Sequence, residues 1–167
     1  SEGSTVVIVG RPSLADGPDE VAAAVGVLHN MLPNATFLPA LRRGNIMGAL
    51  DMGLAPGLLP GRVSLTEGRE WFATSWGELP QETGLDTAGM LEAAAAGRLD
   101  TLVLLGADPL VDVPDRDLVE RAFAGVRSII AIDNFAPDSA QRADVLLAAT
   151  AFAEVGGTTT SLEGRIS

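Results

Sequence analysis

Three short apolar runs constrain this chain more than anything else in it: Leu102-Val103-Leu104-Leu105, Ile129-Ile130-Ala131-Ile132 and Val145-Leu146-Leu147. Each is too short for a helix and lacks the polar alternation of a strand with one wet face. Runs of this kind are expected of parallel strands buried on both faces. The intervening segments agree. Pro114-Asp115 opens a helix carrying Leu118, Val119, Ala122 and Phe123, and Gly125 closes it. Asp138 or Ser139 opens a further helical turn. Upstream, Asp86 or Thr87 caps a helix with Met90, Leu91, Ala94 and Ala95 inward, ended by Gly97. The stretch Thr101 to Leu147 therefore reads as strand, acidic turn, helix, strand, turn and strand. The fold class it predicts is α/β, a three-layer, doubly wound (Rossmann-like) domain with a mostly parallel sheet of about four or five strands.

The remainder fits around that core. Thr5 to Val9 reads as a buried strand ending at Gly10, and Gly10-Arg11-Pro12-Ser13 leads through Asp16-Gly17-Pro18 into a helix. Val21, Val25, Leu28 and Leu32 give that helix one apolar face, Pro33-Asn34 ends it, and Thr36 to Leu38 is a second short strand. Gly10 and Gly17 do not have the G-x-G-x-x-G spacing of a dinucleotide turn. Asn45 to Met52 suits a short helix, whereas Gly53 to Gly61 is so rich in Gly and Pro that irregular structure is expected. Arg69 to Gly77 reads as helical, with Phe72 and Trp76 as i,i+4 neighbours in a core or interface stripe. At 167 residues the expectation is one domain over 1–167, with 151–167 as a tail. The missing initial Met and the uncapped end give the further expectation of a piece taken from a larger chain.

Composition excludes several functions. A net charge of −11 disfavours a nucleic-acid partner, because neutralising phosphates needs clustered cations. With no Cys and a single His, His29, a self-contained zinc or iron–sulfur site is not available within the chain. No apolar run nears the ~20 residues needed to span a bilayer. Arg42-Arg43 reads either as an anion contact or as an exposed pair. No nucleophile–base pair presents itself, and Asp112, Asp115 and Asp117 flank a helix start, where dipole and capping account for them. Asp108 and Asp133 differ, since each ends an expected central strand, where loops line the ligand crevice of such sheets. Gly106 lets a ligand approach the backbone. Each carboxylate either accepts bonds from a ligand or stabilises its own turn.

These residues also carry a resemblance. Leu102-Val-Leu-Leu-Gly-Ala-Asp-Pro109, Ile129-Ile-Ala-Ile-Asp133, Ser139-Ala-Gln-Arg-Ala-Asp144-Val-Leu-Leu147 and Glu154-Val-Gly-Gly-Thr-Thr-Thr-Ser-Leu-Glu-Gly-Arg165 stand in the order of the motifs of the molybdopterin oxidoreductase family, which the chain resembles. Gly44 to Gly53 looks most like the branch of that family that serves as the G subunit of NADH-quinone oxidoreductase (respiratory complex I). Two positions depart from the family pattern: Ala148 stands where it has Pro, and Ser161 where it has Asn. The resemblance implies a non-catalytic structural domain of an oxidoreductase complex that passes electrons from NADH to quinone, inactive by itself. It implies no cofactor in this domain, with the parent subunit's iron–sulfur clusters outside this chain. Gly106, Asp108, Pro109 and Asp133 would then be a vestigial cofactor cleft, with no catalytic residue and no metal ligand. The implied partners are other domains of the parent subunit and neighbouring complex subunits, at a cytoplasmic site peripheral to the membrane, without membrane insertion. The alternative it implies is the nucleotide-cleft domain of a molybdopterin-dependent, formate dehydrogenase-like oxidoreductase.

Overall fold

The structure is a computed structural model that describes residues 4–10, 18–41 and 43–167. In chain order its elements are β1 (Val6–Gly10), α1 (Pro18–Met31), β2 (Thr36–Ala40), α2 (Ile46–Asp51), β3 (Leu58–Leu59), β4 (Val63–Ser64), α3 (Leu65–Trp76) and α4 (Thr87–Ala95). There follow β5 (Thr101–Leu105), α5 (Pro109–Asp112), α6 (Arg116–Gly125), β6 (Ser128–Asp133), α7 (Asp138–Gln141), β7 (Val145–Ala148) and a 3-10 turn at Phe152–Glu154. The turn expected over residues 11–17, and Arg42, lie outside the described residues.

The three apolar runs form one parallel sheet in the order β5-β6-β7. Leu102 pairs with Ile129, Leu104 with Ala131, and Ala131 with Leu146. Because side chains alternate across a strand, Leu102, Leu104, Ile129 and Ala131 share one face. That face is buried with Leu91 and Ala94 of α4, Leu110 of α5, Val119, Ala122 and Phe123 of α6, and Ala140 of α7. Burying a single side chain such as Leu104 or Phe123 contributes roughly 1.5–3 kcal/mol. This is the main core of the chain.

Two expectations need correction. The opposite face of the sheet is open: Val103 is 59% and Leu105 67% exposed, and Val145 and Leu147 are exposed as well. The described chain therefore has two layers here, helices on one side of a sheet, rather than three. The runs are apolar at every position, as two covered faces require, and α4, α5, α6 and α7 pack on one of them. The parallel strands also do not join into one sheet. β1 and β2 pair with each other in parallel, Val7 opposite Phe37 and Ile8 opposite Leu38, as a separate two-stranded sheet. Here too one face is half-buried, through Val7, Val9 and Phe37, with Val21 and Val25 of α1 half-buried as well. His29 of α1 lies edge-on to Phe37 at 5.8 Å, while Val6, Ile8 and Leu38 are exposed.

The segment that joins the two sheets in sequence forms a small second cluster of Leu59, Leu65 and Phe72, with Leu79 packed against it. The stretch expected to be irregular contains β3, which pairs antiparallel with β4. Helix α3 starts four residues earlier than expected, because the Ser64 side chain caps its first turn. Ser64 Oγ accepts from the Glu67 backbone N–H at 3.2 Å and donates to Glu67 Oε2 at 2.7 Å. Of the aromatic stripe only Phe72 is buried. Trp71 and Trp76 flank it edge-on at 4.7 and 4.8 Å but remain exposed. On α4 the buried residues are Leu91, Ala93 and Ala94, whereas Met90 faces out.

Helices α4 and α6 cross at small side chains. A β-carbon on Gly125 would collide with the carbonyl oxygen of Ala94, so only glycine permits this approach. Gly125→Ala is expected to destabilise the chain by about 1–3 kcal/mol, as overpacking does, read as a lower urea midpoint. Gly26→Ala in α1, where an added methyl meets nothing within 4 Å, should leave stability unchanged or raise it by up to about 1 kcal/mol.

Candidate functional site

The four residues singled out from the sequence lie along one edge of the sheet, where the chain leaves β5 and β6. Gly106 takes a positive φ of 56° and donates its N–H to the Ile132 carbonyl at 2.9 Å. This bond continues the β5–β6 ladder one residue past the strand. A β-carbon on Gly106 would meet nothing within 4 Å, so glycine is needed there for its backbone angle rather than for space. Pro109 is buried at the first position of the short helix α5, where its lack of an N–H costs nothing.

Asp108 and Asp133 are engaged differently. Asp108 Oδ1 accepts from both the backbone N–H, at 3.1 Å, and the hydroxyl of Ser139. Ser139 Oγ in turn accepts from the Leu110 N–H at 3.1 Å. Ser139 has no exposed surface at all. The loop after β5 and the start of α7 are thus tied by a closed set of three bonds, each satisfying a group that burial would otherwise leave unpaired. Asp133 is half-buried, and its Oδ1 accepts from the Phe135 N–H at 3.1 Å, a tight turn of the Asx kind. Its backbone carbonyl accepts from Ala149 at 2.9 Å. Asp108 therefore bonds α7 directly, Gly106 bonds the end of β6, and Asp133 stands at that neighbouring strand end. Asp108 gives one of its two oxygens, Oδ1, to this internal tie. Asp133 uses one of its two oxygens.

The other motif residues also act on the backbone. Asp144 Oδ2 accepts from the Ile129 N–H at 2.8 Å, and the Asp144 N–H donates to the Ile129 carbonyl at 2.9 Å. The carboxylate extends the β6–β7 pairing at its amino end. Arg43 forms an exposed ion pair with Asp112 at 3.0 Å, so its side chain joins the start of the central segment to α5. Among the described residues no group of three or more His, Cys, Asp and Glu is placed to hold a metal, and no helix is long and apolar enough to cross a membrane.

Two features escaped the sequence reading. One is Ser139, legible only as a helix-opening residue, whose hydroxyl proves to be the buried hub of the Asp108 tie. The other joins residues 115 positions apart. Asn45 adopts a left-handed φ of 57°, and its Oδ1 accepts from the Thr160 N–H at 2.9 Å. The Asn45 side chain lies over Gly48, where any β-carbon would displace it. Thr160 belongs to a hairpin closed by its bridge to Ile166 and by mutual bonds between Thr159 and Ser167. A concavity of about 800 Å³ opens at this junction, lined by Asn45, Phe152, Val155 and the hydroxyl-bearing residues 158–161. The signal in the sequence was the Gly44-Asn45 pair with Gly48, since Asn is among the few side chains that tolerate the left-handed region.

Comparison with known proteins bears on all of these motifs. The model of the family described as molybdopterin oxidoreductase matches residues 14–167. The chain is 43% identical over 136 residues to the second form of the NADH-quinone oxidoreductase G subunit of Rhizobium meliloti, covering 80% of the chain and 16% of that protein. It is 32% identical over 170 residues to the NADH-quinone oxidoreductase G subunit of Streptomyces coelicolor, covering 99% of the chain and 20% of that protein. It is 33% identical over 135 residues to formate dehydrogenase H of Escherichia coli, covering 78% of the chain and 19% of that protein. The chain thus spans no more than a fifth of the length of these relatives.

Ser139→Ala should cost about 1–3 kcal/mol by leaving the Leu110 N–H and the Asp108 carboxylate short of a partner. Asp138→Ala, one residue away and exposed, should stay within about 0.5 kcal/mol; urea unfolding of both variants measures the contrast. Asn45→Ala is expected to speed hydrogen exchange at the Thr160 amide while leaving the Ile129 amide unchanged.

Proposed function

This chain belongs to the molybdopterin oxidoreductase family, and we propose that it is a non-catalytic structural domain of the G subunit of an NADH-quinone oxidoreductase. The 43% identity to one such G subunit carries this reading. The engagement of the candidate cleft supports it. Asp108, one of two carboxylates at the strand ends, gives its Oδ1 to the backbone and hydroxyl of Ser139. That oxygen contributes loop geometry. No step of electron transfer is assigned to these residues. In this reading the domain packs against other domains of its parent subunit and against neighbouring subunits, on the cytoplasmic side and peripheral to the membrane. The iron–sulfur clusters belong to chain outside residues 1–167.

A second reading rests on one observation. Gly106 is open to an approaching group, and only one oxygen of Asp133 is taken up by its turn. A nucleotide-cleft domain of a molybdopterin-dependent, formate dehydrogenase-like oxidoreductase would use the other oxygen as an acceptor. Isothermal titration of the chain with GDP separates the two. The structural reading expects no saturable heat, and the same trace from Asp133→Ala. Saturable heat that Asp133→Ala abolishes would overturn it in favour of the second.

A further inference from the structure

Helix α3 presents an aromatic surface that the structural role above does not use. Trp71 is 68% exposed, although its ring lies edge-on to the buried Phe72 at 4.7 Å. Beside it runs a groove of about 500 Å³, lined by Pro60 and Val63 of the β3–β4 hairpin and by Glu67, Gly68, Trp71 and Phe72 of α3. Gly68 brings the helix backbone close to the hairpin: a β-carbon there would lie 2.8 Å from Leu59 Cδ1 and 3.0 Å from Val63 Cγ1. The charge at this groove is of one sign. Glu67 lines it, and Glu70 stands exposed three residues on along the same helical face. Among the described residues neither carboxylate has a cation within ion-pair distance. The arginines nearest in sequence are turned elsewhere. Arg62 takes a left-handed φ of 59°, and its guanidinium is held by the Asp51 carboxylate at 2.7 Å and the Met47 carbonyl at 3.3 Å. Arg69 donates to the Pro80 and Gln81 carbonyls at 2.8 and 3.0 Å. What remains is an exposed indole over an apolar groove, beside carboxylates that the fold leaves uncompensated.

We propose that this groove docks an arginine-bearing, otherwise apolar segment of a partner protein. Arginine has the chemistry that the groove complements. Its planar guanidinium stacks on an indole while its donors reach a carboxylate, and its methylene stem covers apolar surface. Charge complementarity selects this occupant over the others. A second copy of the chain brings its own net charge of −11, which opposes association at long range, and an anionic membrane surface is repelled in the same way. Exposed tryptophan meeting arginine is also where binding energy concentrates in protein interfaces. The inference stands apart from the question of GDP binding, because none of Gly106, Asp108, Pro109 and Asp133 lines this groove.

The chain has two tryptophans, Trp71 and Trp76, and no tyrosine, so in Trp76→Phe the indole emission reports Trp71 alone. This variant is titrated with nona-arginine amide and with nona-lysine amide, two probes of equal charge, in about 0.15 M salt, where charges beyond about 8 Å are screened. The proposal expects nona-arginine to change Trp71 emission saturably and to bind at least about threefold tighter than nona-lysine. Anisotropy of fluorescein-labelled nona-arginine then compares two carboxylate variants of the chain. Glu67→Gln keeps an oxygen for the Ser64 hydroxyl and is expected to weaken binding by at least about threefold. Glu92→Gln removes the same charge from an exposed position on α4 and should leave binding within about 1.5-fold. Absence of a saturable response, equal binding of the two probes, or equal losses from the two variants would overturn the proposal. A chain that sediments as a dimer, and returns to monomer with Trp71→Ala, would also overturn it by assigning the groove to a second copy.

Discussion

The approach of α4 to α6 at Ala94 and Gly125 governs how close the helical layer comes to the sheet. Both helices bury small residues at the crossing, Ala93 and Ala94 on one side and Ala122 on the other. Large side chains then reach past them to the strands: Leu91 and Phe123 join Leu102, Leu104 and Ile129 in one cluster. Small residues where backbones meet and large ones beside them give dense packing without strain. The caps follow from the same arrangement. Asp86 accepts from the Gly89 N–H at 2.8 Å and Asp115 from the Leu118 N–H at 2.9 Å, so each helix starts at a defined point relative to the crossing.

With that layer in place, the loops at the carboxyl ends of the strands have little freedom. Ser139 is buried beneath them, and a buried hydroxyl must be satisfied. Asp108 and the Leu110 N–H satisfy it, which draws α5 and α7 together over the strand ends. This geometry resembles a ligand crevice in outline, because a parallel sheet always places its turns there. In chemistry each carboxylate already has one oxygen engaged by the fold, Asp108 by Ser139 and Asp133 by its own turn. The likeness to enzymes of the family and the proposed structural role are compatible for this reason. The loops keep their shape through internal bonds that need no cofactor.

The hairpin near the carboxyl end adds a second long-range tie. Asn45, at the start of α2, holds Thr160 through a side chain that fits only because Gly48 has no β-carbon. Two motifs far apart in sequence thereby form one junction, next to a concavity lined by Phe152 and Val155 as well as by hydroxyl-bearing residues. Arg43 and Asp112 add an exposed ion pair between the same segment and α5, worth little by itself at this exposure. Together these ties place the residues from 43 onward around the main core, whereas β1, α1 and β2 form their own small parallel unit.

Much was legible from residues alone. Three apolar runs, helix caps at Asp86 and Asp115, and glycines closing α4 and α6 specify strands and helices through local rules of side-chain period and backbone angle. The order of motifs identified the family, because those motifs are short and contiguous. Sequence patterning also recorded that β5 and β6 are apolar on both faces, but not what covers each. That depends on which elements share the space, and only the tertiary structure decided that α4, α5, α6 and α7 gather on one face. The same holds for Asp108 and Ser139. Thirty-one positions separate them, and no local rule links a strand-end carboxylate to a hydroxyl in a later helix. Their meeting is a consequence of packing, and it gives one oxygen of a candidate ligand group a structural partner.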